Sequence, residues 1–454
     1  MNNHKEDNLS TGSIGKLLFS LAVPAITAQI INVLYNIVDR IYIGHIPNVG
    51  ADALTGVGVT FPLIMIISAF ASFVGMGGAP RAAIMMGKNN NDSAEEILGN
   101  SVTTLVLISI ALTVFFLIFN DKLLLLFGAS QNTLPYASSY MNIYTLGTLF
   151  VQISLGLNMF ITTQGFAKTS MMTVVIGAVI NIILDPIFIF VFKMGVQGAA
   201  LATIISQAVS AIWVIKFLTG KRTVLNIKRQ HLRIKLSVIL PVLALGVSPF
   251  IMQATESILL VCFNFTLSRY GGDLAVGAMT ILSSVMQFAL MPVMGLTQGA
   301  QPIISFNYGA KNAERVKKAF KLLFVSSLSY TLFMWLLVML IPNIFASLFT
   351  DSKELIAATV WALRVYMSVS FLMGVQLSCQ QTFLALGNAK ASLFLALLRK
   401  IILLIPLIFM LPLLFTDKVF AVFLAEPVAD AISVTVTAIL FTIQFKRTLK
   451  EMAA

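Results

Sequence analysis

The chain has 454 residues, of which 58% are hydrophobic and 11% charged, whereas soluble globular proteins carry about 25% charged residues. Apolar stretches long enough to cross a bilayer, about 20 residues each, recur from Leu17 to Ile443. This excludes both an ordinary soluble enzyme and an enzyme with a single anchor. Thirty Lys and Arg against eighteen Asp and Glu give a formal net charge of +12. In a soluble protein that balance suggests a nucleic-acid partner; here basic loops that orient membrane helices account for it, and no nucleic acid is expected.

Met1 to Gly15 is polar and runs into a long apolar segment without the short apolar core and small-residue cleavage site of a secretory signal, so the first helix is expected to be retained. Hydropathy, broken by Gly, Asn, Asp and charge clusters, predicts twelve spans near 16–45, 53–80, 96–120, 135–162, 169–193, 197–218, 236–268, 275–304, 318–345, 355–385, 391–415 and 418–445. Both termini then share one side. The segments facing that side hold most of the loop charge, from Lys5, Lys16, Arg81 and Lys88 through Lys221, Arg222, Lys228, Arg229, Arg233 and Lys235 to Lys446, Arg447 and Lys450. The opposite loops hold Lys122, Lys193, Arg269, Lys353 and Lys418, so the positive-inside rule predicts cytoplasmic termini. Cys262 and Cys379 both fall in apolar segments, with no spacing that suggests a disulfide framework or zinc site.

The two halves repeat. Pro24 matches Pro249, Asp52 matches Asp273 and Gly56 matches Gly277; Gly77, Pro80, Gly87, Tyr144, Gly165 and Lys168 match Gly299, Pro302, Gly309, Tyr366, Gly387 and Lys390, at a nearly constant offset of about 222 residues. Six spans per half makes the copies parallel repeats about an axis along the membrane normal. The predicted fold is therefore an all-α polytopic membrane protein of twelve helices in two parallel six-helix lobes around a central cavity. The lobes cover 1–218 and 236–454, joined by a basic cytoplasmic linker, 219–235. Leu225, Ile227, Leu232 and Ile234, interleaved with its charges, suit a segment lying on the lipid surface, and a solvated tether suits them equally.

Polar side chains inside the spans are the functional candidates, because they are costly there. In the first span Gln29, Asn32, Asn36 and Asp39 fall on one helix face, and Arg40 points about 100° away, where it can snorkel outward. In the fifth, Asn181 and Asp185 are four apart, and Pro186 frees the carbonyl of Ile182. In the sixth, Thr203 and Gln207 share a face. At about 1.5 Å per residue Asp39, Thr203 and Asp185 lie some 8, 9 and 12 Å from the outer ends of their spans, so they can meet. Two carboxylates with amide and hydroxyl oxygens in a poorly solvated pocket either hold a small hard cation or share a proton. Asn32, Asn36 and Gln207 fit interhelical hydrogen bonding as well as they fit function.

Glu256, at mid-depth of the seventh span, is a candidate second protonation site or substrate contact. Arg364 lies in the tenth span. Arg399 or Lys400 in the eleventh suits a structural pair with Asp430, which shares a face of the twelfth with Glu426. Met and Phe surfaces adapt to varied apolar cations, and Met172, Met279, Phe288 and Met291 are candidates for a substrate pocket, together with Gln29, Asn32, Tyr35, Asn36, Gln207 and Glu256. Gly75 to Pro80 is read as a close-packing helix end; no Lys-Ser or Lys-Thr follows it, so no ATP site is expected.

Pro24, the segment Val33-Leu34-Tyr35-Asn36-Ile37-Val38-Asp39, Asn181-Ile182-Ile183-Leu184-Asp185-Pro186, Gly165-Phe166-Ala167-Lys168, the Gln298-to-Pro302 turn and Glu426-Pro427-Val428-Ala429-Asp430 resemble the multidrug and toxic compound extrusion (MATE) transporters over essentially the full chain, especially their MepA-type bacterial branch. The resemblance implies a non-enzymatic exporter of cationic or amphipathic drugs and dyes in a bacterial inner membrane. It implies coupling to inward proton or sodium flow by rocking of two lobes, with no other cofactor; a monomer is expected. It carries an amino-terminal-lobe ion site onto Asp39, Asn181, Asp185 and Thr203, the sodium ligands if sodium couples. Some relatives use a seventh-span Glu with a tenth-span Asp; Glu256 matches the former, and the tenth span has no Asp. The rival reading is a flippase for a lipid-linked precursor, whose anionic headgroup needs a cavity lined by Arg or Lys; Arg364, Arg399 and Lys400 are the available liners.

Overall fold

The computed structural model describes residues 9–453, so Lys5 of the charge pattern lies outside the described residues. Among those residues nine helices are long and apolar enough to span a membrane, and two bent helix pairs each make one more. The long helix Leu236–Gly309 is two spans broken at Gly272, whose φ of 62° favours a residue without Cβ. The chain is thus an all-α polytopic membrane protein of twelve spans. The first three are Ile14–Gly44, Gly50–Gly87 and Asn91–Leu126. The fourth is the pair Leu134–Leu146 and Thr148–Thr163, the fifth Ala167–Pro186 with a π-helical continuation Ile187–Val191, and the sixth Val196–Leu218. The seventh and eighth divide Leu236–Gly309, and the ninth is Ala313–Leu340. The tenth is Lys353–Tyr366 with Met373–Ala385, the eleventh runs Ala389–Leu397, π-helical Leu398–Leu404 and Ile405–Leu414, and the twelfth is Lys418–Ala453.

The fourth and tenth spans, read from hydropathy as single helices, bend by 59° and 51°. Backbone groups freed inside a membrane must find partners, and the neighbouring third and ninth spans supply them. Thr113 Oγ1 donates to Thr145 O at 3.2 Å, while Trp335 Nε1 donates to Ser368 O and Thr331 Oγ1 to Phe371 O, both at 2.8 Å. The two breaks follow Tyr144 and Tyr366, which the repeat pairs.

Three apolar cores define the shape. One, at the face carrying both termini, is shared by the halves and runs from Leu18 and Val74 to Val242, Ile303 and Phe445. Toward the other face each half keeps its own core, around Ile67, Phe116 and Met141 in the first and Phe263, Leu282 and Phe423 in the second. The lobes are fused at the terminal face and parted beyond it, so the molecule is a V. Glycines make the fused contact. A Cβ on Gly87 would lie 2.0 Å from Phe306 O, and one on Gly309 would lie 2.0 Å from Ile84 O. Gly77 and Gly246 meet between the second and seventh spans, as Gly299 and Ala22 do between the eighth and first. The seam is isologous in the manner of a C2 interface, and its outermost members are Phe70 and Phe73 against Phe250 and the 2.9 Å bond from Ser72 Oγ to Gln253 Oε1.

The linker does not hang free; it is docked on the first lobe. Gln164 Oε1 accepts from Thr223 Oγ1, Val224 N and Leu225 N at 2.7 to 2.9 Å. Glu95 accepts from Asn226 N at 3.0 Å and pairs with Lys228 at 2.5 Å, which raises the Lys228 ammonium above its usual range. Asn100 binds both His231 O and Lys235 N. In return Arg315 of the second lobe donates to Leu9 O and Gly12 O at 2.9 and 2.8 Å. Each lobe's leading segment is thus held by the other.

Candidate functional site

On the first span the exposed apolar residues Ile30, Leu34, Ile37 and Ile41 form one stripe, and at about 100° per residue Gln29, Asn32, Asn36 and Asp39 lie on the other side. That stripe faces lipid, so the exposed amides of Asn32 and Asn36 face the cleft of the V. Asn36 Nδ2 donates to Asn32 O at 2.6 Å. Arg40 points elsewhere, with its guanidinium 5.3 Å from the Phe61 ring.

The fifth and sixth spans close a pocket against Asp39. Asn181 Nδ2 donates to Asp185 Oδ1 at 3.2 Å and to Thr203 Oγ1 at 3.4 Å, and Thr203 donates to Ala199 O at 3.0 Å. Asp39 and Asp185 face each other in this pocket, a proximity that two carboxylates hold favourably only with a proton or cation between them. All four residues are buried, Asp185 completely. Asp39 Oδ1, Asn181 Oδ1 and Asp185 Oδ2 are buried acceptors with no hydrogen-bond partner, a costly condition for a membrane interior. Their oxygens fit a hard cation or a proton: the set is all oxygen, and it presents acceptors without matching donors. Past Pro186 the chain turns π-helical, with Phe192 N bonding Ile187 O at 2.9 Å.

Tyr140 is a member of this pocket that composition and charge did not single out. It is buried, within hydrogen-bonding reach of Thr203 and electrostatically close to Asp39; its ring stacks on Tyr144 with centroids 6.2 Å apart. The spacing of Tyr136, Tyr140 and Tyr144 by four is the signal that marks one face of the fourth span. Tyr35, also largely enclosed, is electrostatically close to Asp39.

The other candidates separate. Gln207 accepts from Ser154 Oγ at 2.6 Å and ties the sixth span to the fourth. Met172 shares an exposed apolar face with Val179 and Ile183, about 140° from Asp185, and so faces lipid. Met279 and Met291 are buried in the second lobe at 2% and 7% exposure. Phe288 is 62% exposed on the face of the eighth span that, two turns deeper, packs Gly295 on Ile26, and it lines the cleft. In the second lobe Arg399 takes both acids of the twelfth span, Asp430 at 2.6 Å and Glu426 at 2.8 Å. Lys400 pairs instead with Glu256, and also donates to Met252 O at 2.7 Å. The two adjacent residues both turn inward, and both sit in the π-helical stretch Leu398–Leu404. Arg364 is exposed.

Two parallel six-span lobes forming a V, with unpartnered carboxylate oxygens buried in one of them, define a membrane transporter. The MatE family model matches residues 24–187 and 249–444, and the chain belongs to this family. The multidrug export protein MepA of Staphylococcus haemolyticus is 26% identical over 418 residues, covering 92% of this chain and 91% of the relative. A MepA of Staphylococcus aureus is 25% identical over 90% of each chain. Among solved structures, a ligand complex of the MATE multidrug transporter DinF-BH is 34% identical with a TM-score of 0.89 over 97% of each chain. A MATE in the bent conformation superposes with a TM-score of 0.92 over 99% of each at 22% identity.

Proposed function

We propose that this protein is a secondary active multidrug exporter, an antiporter that expels cationic or amphipathic compounds against an inward flow of protons or sodium ions. The observation that carries the reading is the set of three buried, unpartnered acceptor oxygens on Asp39, Asn181 and Asp185. They make a pocket whose occupancy by a positive charge changes its stability, and coupling requires such state-dependent affinity. The relatives, multidrug export proteins and a multidrug transporter, support drug export. The fold carries it out without enzymatic chemistry and in a bacterial inner membrane.

With the basic loops inside, both termini are cytoplasmic and the V opens outward. An ion entering from outside reaches Asp39 and Asp185 through the cleft, releases the cost of their unpartnered oxygens and favours the state that gives up drug; the Pro186 and π-helical segment supplies a place to bend. The flippase alternative needs free cationic liners. Arg399 is committed to Asp430 and Glu426, and Lys400 to Glu256, so of the three candidate liners exposed Arg364 alone is left, which favours cationic cargo.

The test is efflux of a fluorescent cationic dye from proteoliposomes under an imposed proton gradient and then a sodium gradient, with wild type beside Asp39→Asn and Asp185→Asn. The expected result is movement driven by one gradient and lost in both folded variants. Full gradient-driven efflux in both would refute the site.

A further inference from the structure

The second lobe carries the same helices that build the pocket in the first: the seventh, eleventh and twelfth spans are the repeat partners of the first, fifth and sixth. Where the first lobe leaves acceptor oxygens unpartnered, the second fills its acids with cations of the chain itself. Glu256, Glu426 and Asp430 face Arg399 and Lys400. If all five are ionised, three negative charges meet two positive ones, leaving the cluster one negative charge in excess.

The two halves of this cluster differ in exposure. The Glu426 and Asp430 side chains are 7% and 3% exposed and Arg399 closes over both. Lys400 is likewise 3% exposed, yet its partner Glu256 is 60% exposed. The direction of that exposure follows from the helix. Leu236, Leu240, Ile258, Val261 and Phe265 are exposed apolar residues along one side of the seventh span, and at about 100° per residue Glu256 lies some 140° to 180° from them, with exposed Leu260 beside it on the other face. Glu256 faces away from lipid. It also sits one turn beyond Gln253, which meets Ser72 of the first lobe at the outer edge of the fused seam. Glu256 therefore stands at the floor of the open cleft, with a buried ammonium behind it.

We infer that Lys400 is a tethered counter-ion for Glu256: it occupies the carboxylate while the cleft is empty, and a cationic substrate must displace it, so Lys400 sets the affinity for cationic cargo. This rests on the reading of the chain as an exporter of cations. The displaced ammonium keeps its bond to Met252 O, and Gln376 and Gln380 line the small space beside it. Glu256 is the contact for cargo, and Lys400 the residue that makes the contact conditional.

The experiment is equilibrium binding of tetraphenylphosphonium to the purified full-length protein in lipid nanodiscs, with no gradient imposed. Lys400→Gln removes the internal competitor from a half-exposed carboxylate, so the dissociation constant should fall by about fivefold, the equivalent of about 1 kcal/mol. Lys400→Arg, which keeps a cation, should stay near wild type. Glu256→Gln should weaken binding, and the double variant should match Glu256→Gln. Unchanged or weaker binding in Lys400→Gln would overturn the inference, as would a gain that persists without Glu256, or no binding by wild type and Lys400→Gln alike. A Glu256-dependent gain in a protein whose efflux ignores both gradients would leave this inference standing and remove the antiport reading.

Discussion

The crossing of the second and eighth spans is the point where a single methyl group should reset the balance between the transporter's two states. Gly87→Ala places a Cβ 2.0 Å from Phe306 O, against an ordinary contact of 3.4 Å or more. The opposing atom is backbone, so no rotamer change relieves the clash and the fused face must widen by more than an ångström. Overpacking of this kind costs about 1–3 kcal/mol, charged only to the state in which the two glycines touch. The equilibrium should therefore move about 5- to 150-fold toward the state open at the terminal face. Gly309→Ala, which meets Ile84 O at the same 2.0 Å, should do the same, and the double variant should add less than the sum because the first methyl has already parted the crossing. The assay is a distance distribution between spin labels on Ala51 and Asp273, at the outer ends of the second and eighth spans, in a background lacking Cys262 and Cys379. Closure of the V should shorten the distance. An unchanged distribution in well-folded Gly87→Ala would refute the argument that this contact holds the V open.

Further outcomes follow from named contacts. Arg399→Met leaves Glu426 and Asp430 buried without their cation and should destabilise the protein by about 3–5 kcal/mol, read as a lowered melting temperature; adding Glu426→Gln and Asp430→Asn should recover most of it. Gln164→Leu removes the acceptor of Thr223, Val224 and Leu225 and should cost about 1–3 kcal/mol, with faster proteolysis inside 219–235; unchanged cleavage would show that the linker is held elsewhere. Tyr140→Phe should lower ion-driven efflux while leaving dye binding intact, and an unaltered efflux rate would place Tyr140 outside the coupling pocket.

Much of the architecture was legible because the membrane imposes it. Backbone groups in lipid must be satisfied within each helix, so length and hydropathy locate twelve spans, and the offset joining Gly87 to Gly309 and Tyr144 to Tyr366 reveals the two halves. Polar residues are so costly in these spans that Asp39, Asn181, Asp185 and Thr203 stand out, and their similar depths predict that they can meet; the structure brings them together. Hydropathy does not resolve the bends after Tyr144 and Tyr366, because a broken span averages to the same apolarity as a straight one.

What only the tertiary structure decided is which side chains face one another. Met279 and Phe288 look equally suited to a pocket, yet one is core and the other lines the cleft, since a few residues of helix rotation separate the two fates. Arg399 and Lys400 are neighbours in sequence, about 100° apart on a regular helix; both turn inward because acids of two different spans, Asp430 and Glu426 of the twelfth and Glu256 of the seventh, flank them. The linker's interleaved apolar and basic residues suit a solvated tether as well as a docked segment, and docking was decided by Gln164, Glu95 and Asn100, all far away in the chain. Local sequence sets the cost of leaving a group unsatisfied in the membrane, and only the folded packing supplies the partner that meets it.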